Sequence, residues 1–162
     1  MGAAMAKASL ELQIARLIAI EDIKQLKARY CEYCDDRYNP EGVSSLFVDD
    51  AIWDGGPEFG RYVGRSAIRQ FFAGLSSHIV FGAHLVMNPI IEVDGTTATG
   101  RWRLLMPCTA QVAGGEAESR WLLMAYDERY VLRDETWMFQ QLICRAQFYA
   151  PHATGWASQT VG

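Results

Sequence analysis

The chain is short of the features that mark the commonest special classes of protein. No stretch reaches the roughly 20 consecutive apolar residues of a membrane span, and none joins a basic start to the uncharged core of about 7–15 residues that a secretory signal needs. Ile14–Ile23 comes nearest, but Arg16, Glu21 and Asp22 interrupt it at helical intervals, so it reads as an amphipathic helix. Basic residues are not in excess: 15 Lys and Arg stand against 19 Asp and Glu, for a net charge of −4. Without a basic stripe to neutralise phosphates, nucleic acid is not expected as a ligand. Cysteine is scarce, and Cys31 and Cys34 form the single close pair beside Cys108 and Cys144. No second Cys/His pair completes a zinc set, and the two lie late in a helical pattern, so they read as small apolar residues, with no metal expected. With neither a signal nor a disulfide framework, a reducing cytoplasm is the expected compartment. No repeat is present, and no Pro-, Gly- or Ser-rich linker divides the chain. Met1–Ala6 is small and featureless and carries no part of the fold argument.

What is present is apolar mass. Half of the 162 residues are hydrophobic and 12% are aromatic, which fits one domain over 1–162 with a core at about 14–152. Leu17, Ile20, Ile23, Leu26, Tyr30 and Tyr33 recur at three and four, predicting a long opening helix or helix pair that ends near Asp35 to Arg37. Asn39-Pro40-Glu41-Gly42 reads as a turn, Val43–Phe47 as a short helix, and Ala51-Ile52-Trp53 and Arg61–Gly64 as short strands. Ser66 is a candidate cap for a helix over 67–72. From His84 to Val93 the chain is rich in β-formers and ends in the hairpin signal Asp94-Gly95. Ala98, Gly100, Trp102, Leu104 and Met106 then alternate with polar residues over the strand Thr97–Met106. A loop at Ala113–Glu116 and strands over Ser119–Leu132 and Thr136–Tyr149 complete an antiparallel meander. Helices followed by such a meander predict an α+β fold with the helices packed on one face of a curved sheet.

Three groups could carry chemistry. His84 begins an otherwise apolar strand, where an imidazole either finds a partner or bears a desolvation penalty, so it is either a satisfied structural histidine or a base. His78 and His152 lie in polar segments and read as solvated. Asp35 and Asp36 end the first helix against its dipole, which is unfavourable without a compensating partner; the alternative is a solvated turn. Periodicity alone does not put Tyr30 beside Asp35, since five residues are about 140° apart on an ideal helix. Arg145 shares the parity of Trp137, Phe139, Ile143 and Tyr149, which predicts a largely apolar face and a need for an oxygen partner, either in an ion pair or in a ligand. There is no nucleophilic serine motif, phosphate loop or dinucleotide fingerprint, because Gly55-Gly56 and Gly114-Gly115 lack the helix such motifs require.

Taken in order, the opening helix Ile20–Asp35, Leu46–Trp53, Gly60–Gly64, Asn88–Gly95 with Ala98–Trp102, and Asp127–Tyr130 leading into Trp137 resemble the SnoaL-like branch of the nuclear-transport-factor-2-like superfamily. That resemblance implies a cone-shaped α+β barrel of cystatin-like type. Among its branches the chain is most similar to scytalone dehydratase, bile-acid 7α-dehydratase and hexachlorocyclohexane dehydrochlorinase, which eliminate a small group from a cyclic substrate. The resemblance implies that Asp35 and His84 form a base dyad, and that Tyr30 and Arg145 assist the leaving group or a developing enolate. The dehydrochlorinase pattern has its arginine where this chain has Leu142, so dehydration is the nearer analogy. Trp53, Tyr62, Phe71, Trp102, Asn88 and Phe148 are implied as substrate contacts. The implied activity is a cofactor-independent lyase acting on a hydrophobic cyclic, steroid-like or polyketide-like molecule. An isomerase or cyclase using the same base, or a non-catalytic binding or assembly subunit, is the alternative. A homotrimer, with a dimer as runner-up, is the implied assembly.

Overall fold

The computed structural model describes residues 2–112 and 114–157, with side chains described from Ser9 onward; Ala113, in the loop expected at 113–116, lies outside them. The elements are α1 (Gly2–Asp35), α2 (Pro40–Ser45), β1 (Phe47–Asp54), α3 (Gly56–Phe59), β2 (Arg61–Val63), α4 (Arg65–Leu75), β3 (Ile79–Gly82), β4 (Leu85–Asp94), β5 (Thr97–Gln111), β6 (Ala117–Arg133) and β7 (Thr136–Pro151).

In α1, Ile23, Leu26, Lys27, Tyr30, Cys31 and Cys34 are buried, a stripe at three and four that lies against the sheet. The helix stops at Asp35 because Arg37 and Tyr38 turn left-handed, at φ 50° and 55°, and the turn returns the Tyr38 ring to the core. Asn39 then caps α2 by accepting the Gly42 amide at 2.9 Å, with Pro40 opening the helix. In α4 the expected Ser66 cap does not form. Gly64 occupies that position, and its carbonyl receives the first helical bond, from the Ile68 amide at 3.1 Å, so Ser66 lies inside the first turn.

Seven strands form one sheet in the order β2-β1-β7-β6-β5-β3, with β4 also paired to β5. The antiparallel meander expected toward the C-terminus runs from β4 to β7, and β1 joins its edge in parallel with β7, placing Trp53 beside Leu142. The β4–β5 hairpin turns at Gly95, whose φ of 57° supplies the left-handed step. β5 buries Ala98, Gly100, Trp102, Leu104 and Met106 as its alternation predicts, and on β6 Leu122, Met124, Tyr126, Glu128 and Tyr130 face the same way.

The last strand breaks that regularity twice. Tyr130 pairs with Phe139 and Arg129 with Gln141, leaving Gln140 as an extra residue; Met124 pairs with Ala146 and Leu123 with Phe148, leaving Gln147 as another. Each bulge reverses the side-chain phase. Between them Leu142 and Cys144 turn inward while Ile143 and Arg145 turn outward. The apolar face expected around Arg145 is therefore corrected: uninterrupted alternation from Trp137 does not survive Gln140.

A polar chain crosses the core. Trp102 Nε1 donates to the Tyr130 hydroxyl at 2.9 Å, and Tyr130 donates to Glu128. Lys27 Nζ donates to Glu128 Oε1 at 2.5 Å, with the two side chains 1% and 0% exposed. This pair joins α1 to β6. Gly100 makes room for it, because a Cβ there would stand 2.7 Å from the Tyr130 hydroxyl. Among the described residues no helix is long and apolar enough to cross a membrane.

Candidate active site

The end of α1 and the break between β3 and β4 meet at one point. Ala83 and His84 belong to neither strand: the Ala83 amide bonds the Pro107 carbonyl at 3.1 Å, and the chain then turns so that His84 faces Asp35. Asp35 Oδ1 accepts His84 Nδ1–H at 2.6 Å and the His84 amide at 3.0 Å, and Oδ2 lies 3.3 Å from the same amide. These donors answer the unfavourable position of a carboxylate at a helix C-terminus. A carboxylate can only accept, so the contact fixes the proton on Nδ1 and leaves the Nε2 lone pair free. Nε2 has no hydrogen-bond partner among the described residues, and the side chain is 7% exposed against 40% for Asp35.

His84 borders an inner cavity of about 30 Å3, shared with Tyr30, Tyr38, Trp53, Phe59, Tyr126 and other apolar side chains of the cone. Tyr30 is buried, and its hydroxyl accepts Trp53 Nε1–H at 3.1 Å. The Tyr30 side chain also hydrogen-bonds Cys34. Burial pushes the Tyr30 and Tyr126 phenols well above their ordinary range, and the Cys34 and Cys144 thiols up as well, so all four are protonated at neutral pH. Tyr38 meets the imidazole edge-on, with ring centres 5.9 Å apart.

The structure thus brings His84, Asp35, Tyr30 and Trp53 together at the cavity and its mouth, and leaves the other expected residues outside. Arg145 Nη1 bonds the Asp54 carboxylate at 2.9 Å, the Asp54 carbonyl at 3.0 Å and the Cys144 carbonyl at 2.9 Å. Asp54 also accepts the Gly56 amide at 2.9 Å, so Arg145 braces the loop that carries Phe59. The Gly56 amide first, and then Arg145, hold the Asp54 carboxyl below its usual range. Tyr62 and Phe71 stack on each other at 4.3 Å, and Phe71 packs on Trp53 at 4.7 Å, forming a layer behind the lining. Trp102 is held in the buried polar chain, and Phe148 stacks on Trp156 at 5.2 Å. Asn88 is exposed at an irregularity of β4, with φ 56°. His78 is exposed, whereas His152 Nδ1 accepts Trp121 Nε1–H at 2.9 Å.

Tyr38, Phe59, Phe72 and Tyr126 were missed as cavity residues, and Lys27 and Glu128 as a buried pair. Signals for some of them exist. Tyr126 and Glu128 keep the inward parity of Leu122 and Met124, and Lys27 lies four residues after Ile23 and three before Tyr30 on the buried stripe. Wider clefts of about 450 and 660 Å3 are lined by charged residues such as Glu92 and Arg129, and neither includes Asp35 or His84. All four cysteines are free and buried, and among the described residues no group of three or more His, Cys, Asp or Glu is placed to hold a metal ion.

The helix-backed, curved sheet has the cystatin-like fold, the fold of nuclear-transport-factor-2-like proteins. Within it the chain belongs to the SnoaL-like domain family, which matches residues 15–143. Solved structures similar to it include a protein assigned as a scytalone dehydratase from Novosphingobium aromaticivorans DSM 12444, 23% identical over 86% of this chain and 91% of that one, with a TM-score of 0.77. Another is the type 3 hexachlorocyclohexane dehydrochlorinase of Novosphingobium barchaimii LL02, 22% identical over 87% and 94%, with a TM-score of 0.76. A third is a nuclear-transport-factor-2-like protein with a cystatin-like fold from Novosphingobium aromaticivorans, 22% identical over 85% and 87%, with a TM-score of 0.68. No curated protein matches the sequence.

Proposed function

We propose that the protein is a dehydratase-like lyase acting without a cofactor on a hydrophobic cyclic, steroid-like or polyketide-like molecule. The observation that carries this reading is the 2.6 Å bond from His84 Nδ1 to Asp35, with His84 in the cavity lining and its Nε2 without a partner among the described residues. Nε2 takes a proton from carbon, the C–H electron pair becomes the new C=C bond, and the C–O bond breaks. The departing hydroxyl takes the Tyr30 proton and leaves as water; the imidazolium, steadied by Asp35, later returns a proton to Tyr30. A base of this kind contributes about 10²–10⁴ in rate, and donors at the developing charge supply more. Names among the similar structures, a dehydratase and a dehydrochlorinase, support elimination over other chemistry of the fold.

A cavity of about 30 Å3 takes one water, so a ring enters only when the lining opens. The segment suited to this is α3, where Phe59 lies between Gly56 and Gly60 at φ 70° and 81°. Arg145, proposed from the sequence as a direct charge on the substrate, acts in this reading through Asp54 and that segment. Tyr62 and Phe71 support Trp53 from behind. The exposed Phe81, Leu85 and Ile90, each more than half accessible, support a homo-oligomer; that it is a trimer before a dimer, and cytoplasmic, is part of the same proposal.

The test is to incubate wild type and His84→Ala with hydroxylated polycyclic and steroid-like compounds and to follow loss of water by mass spectrometry. Wild type is expected to form a dehydrated product that His84→Ala does not. Equal turnover by both on a confirmed substrate overturns the reading, and a product of unchanged mass identifies an isomerase using the same base.

A further inference from the structure

The N-terminal half of α1 has no place in the cone. Ser9–Ile18 are exposed without exception, and Ile23 is the first buried residue among the described side chains of the helix. Leu12 shows why. It lies eleven residues before Ile23, about three turns away and on the same side of an ideal helix, yet it is 73% exposed. The helix therefore runs past the sheet, and this stretch is an arm that the sheet does not cover.

The arm carries an apolar face of its own on the other side. Ile14 is nine residues from Ile23, half a turn out of phase with the buried stripe, and Leu10, Leu17 and Ile18 flank it at three and four. All four are between 48% and 66% exposed. Farther along, the same outward side of α1 is polar, with Glu21, Gln25 and Glu32 exposed. The apolar residues stop where the sheet begins, so they are not a general property of the outer surface of the helix. Because the other half of α1 is anchored in the core, the arm is already helical, and covering its stripe costs little further ordering.

Charge selects the occupant. The stripe is bounded by Lys7 toward the N-terminus and by Glu21 and Asp22 toward the C-terminus. Positions 7 and 21 lie seven residues before and after Ile14, so the arm carries opposite charges at equal distances from that residue. An antiparallel pairing with a two-fold axis near Ile14 sets the basic end of each helix toward the acidic end of the other, whereas a parallel pairing sets like charges together. The helix dipoles favour the same choice. A lipid surface is the poorer fit, since membrane-surface helices are rich in Lys and Arg, and this arm sets Lys7 and Arg16 against Glu11, Glu21 and Asp22.

We infer that the arm is a self-docking surface, the Leu10, Ile14, Leu17 and Ile18 face of one copy packing antiparallel on the same face of a second copy. The contact is isologous and joins copies in twos. It stands apart from the homo-oligomer proposed on Phe81, Leu85 and Ile90. If that face builds a trimer, the arms join two trimers into a six-copy assembly; if it does not, they give a dimer.

The experiment compares the full chain with a variant combining Leu10→Glu, Ile14→Glu and Leu17→Glu by sedimentation equilibrium. These side chains lie outside the core, so the variant keeps the cone, which circular dichroism checks. The molar mass of wild type is expected to be twice that of the variant, independently of the sheet face. A charge exchange reads the orientation. Glu21→Lys is expected to weaken the pairing about 3–10-fold at low ionic strength, since two symmetric contacts turn repulsive, and Glu21→Lys with Lys7→Glu is expected to restore it. The inference is overturned by equal masses for wild type and the triple variant, by a Glu21→Lys dissociation constant equal to that of wild type, or by a loss that Lys7→Glu does not recover. Sedimentation of wild type and not of the triple variant with phosphatidylserine vesicles, with no difference in mass between the two, assigns the stripe to a membrane instead. None of these outcomes depends on turnover, so they stand whether or not elimination is the reaction.

Discussion

Asp35 holds His84 by both its ring and its main-chain amide across 49 residues of sequence, at 2.6 and 3.0 Å from one carboxylate oxygen. The ring contact sets the tautomer and the amide contact sets where the ring begins, so one carboxylate governs both the chemistry and the position of the imidazole. His84→Ala is expected to lower kcat by about 10²–10⁴ and to move the melting temperature little, because the side chain lies at the cavity edge. Asp35→Asn is expected to fall in the same range, because a neutral amide does not steady the imidazolium. Turnover and thermal unfolding measured side by side check both, and full activity in either variant counts against a base at this position.

Tyr30 separates a structural debt from a chemical one. Tyr30→Phe leaves Trp53 Nε1–H without its acceptor in a buried setting, expected to destabilise the fold by about 1–3 kcal/mol in a denaturant titration. If Tyr30 also supplies the leaving-group proton, kcat falls by more than KM changes, whereas a purely structural tyrosine leaves kcat per folded molecule intact.

Lys27→Met alone strands the Glu128 carboxylate in the core and is expected to cost about 3–5 kcal/mol. Adding Glu128→Leu removes the stranded charge, so the double variant is expected to recover most of that loss. Equilibrium unfolding of the three chains is the measurement, and a double variant as unstable as the single one contradicts it.

The latch at the mouth is pH-dependent in a stated direction. Asp54 has its carboxyl held below the ordinary range by the Gly56 amide and Arg145, so the stability it contributes is fully present above its unfolded value near about 4 and is lost as pH falls through the lower folded value. The Gly56 amide resonance is expected to titrate at that depressed value. In Arg145→Ala the midpoint moves up, and the amides of α3 exchange faster. A titration unchanged by Arg145→Ala dismisses the latch.

The sequence was legible where a local rule ran without interruption. β5 alternates from Ala98 to Met106 with no extra residue, and its inward face is the one the alternation predicts. Asp35 and His84 were visible because each was locally anomalous, a carboxylate on the wrong helix end and an imidazole in an apolar run. Arg145 was misplaced because a bulge at Gln140 is invisible to a two-residue count, and the register that reveals it depends on β6. Trp102 and Asn88 were expected at the cavity on likeness alone, yet the Tyr130 hydroxyl binds the first and an irregular β4 exposes the second. Tyr126 keeps the inward parity of Leu122 and Met124, but parity marks a buried tyrosine and does not tell a cavity wall from plain core.

The Lys27–Glu128 pair also has a consequence for the order in which the chain assembles. It spans 101 residues where the Asp35–His84 contact spans 49, and closing a loop of twice the length costs only about 0.6 kcal/mol more. The difference on a ribosome is one of timing rather than energy. When His84 has emerged, Asp35 already has its partner, but Lys27 must wait until β6 exists. Until then the Lys27 ammonium has no carboxylate to meet in the core, so this link between α1 and the sheet is made only once the sixth strand exists.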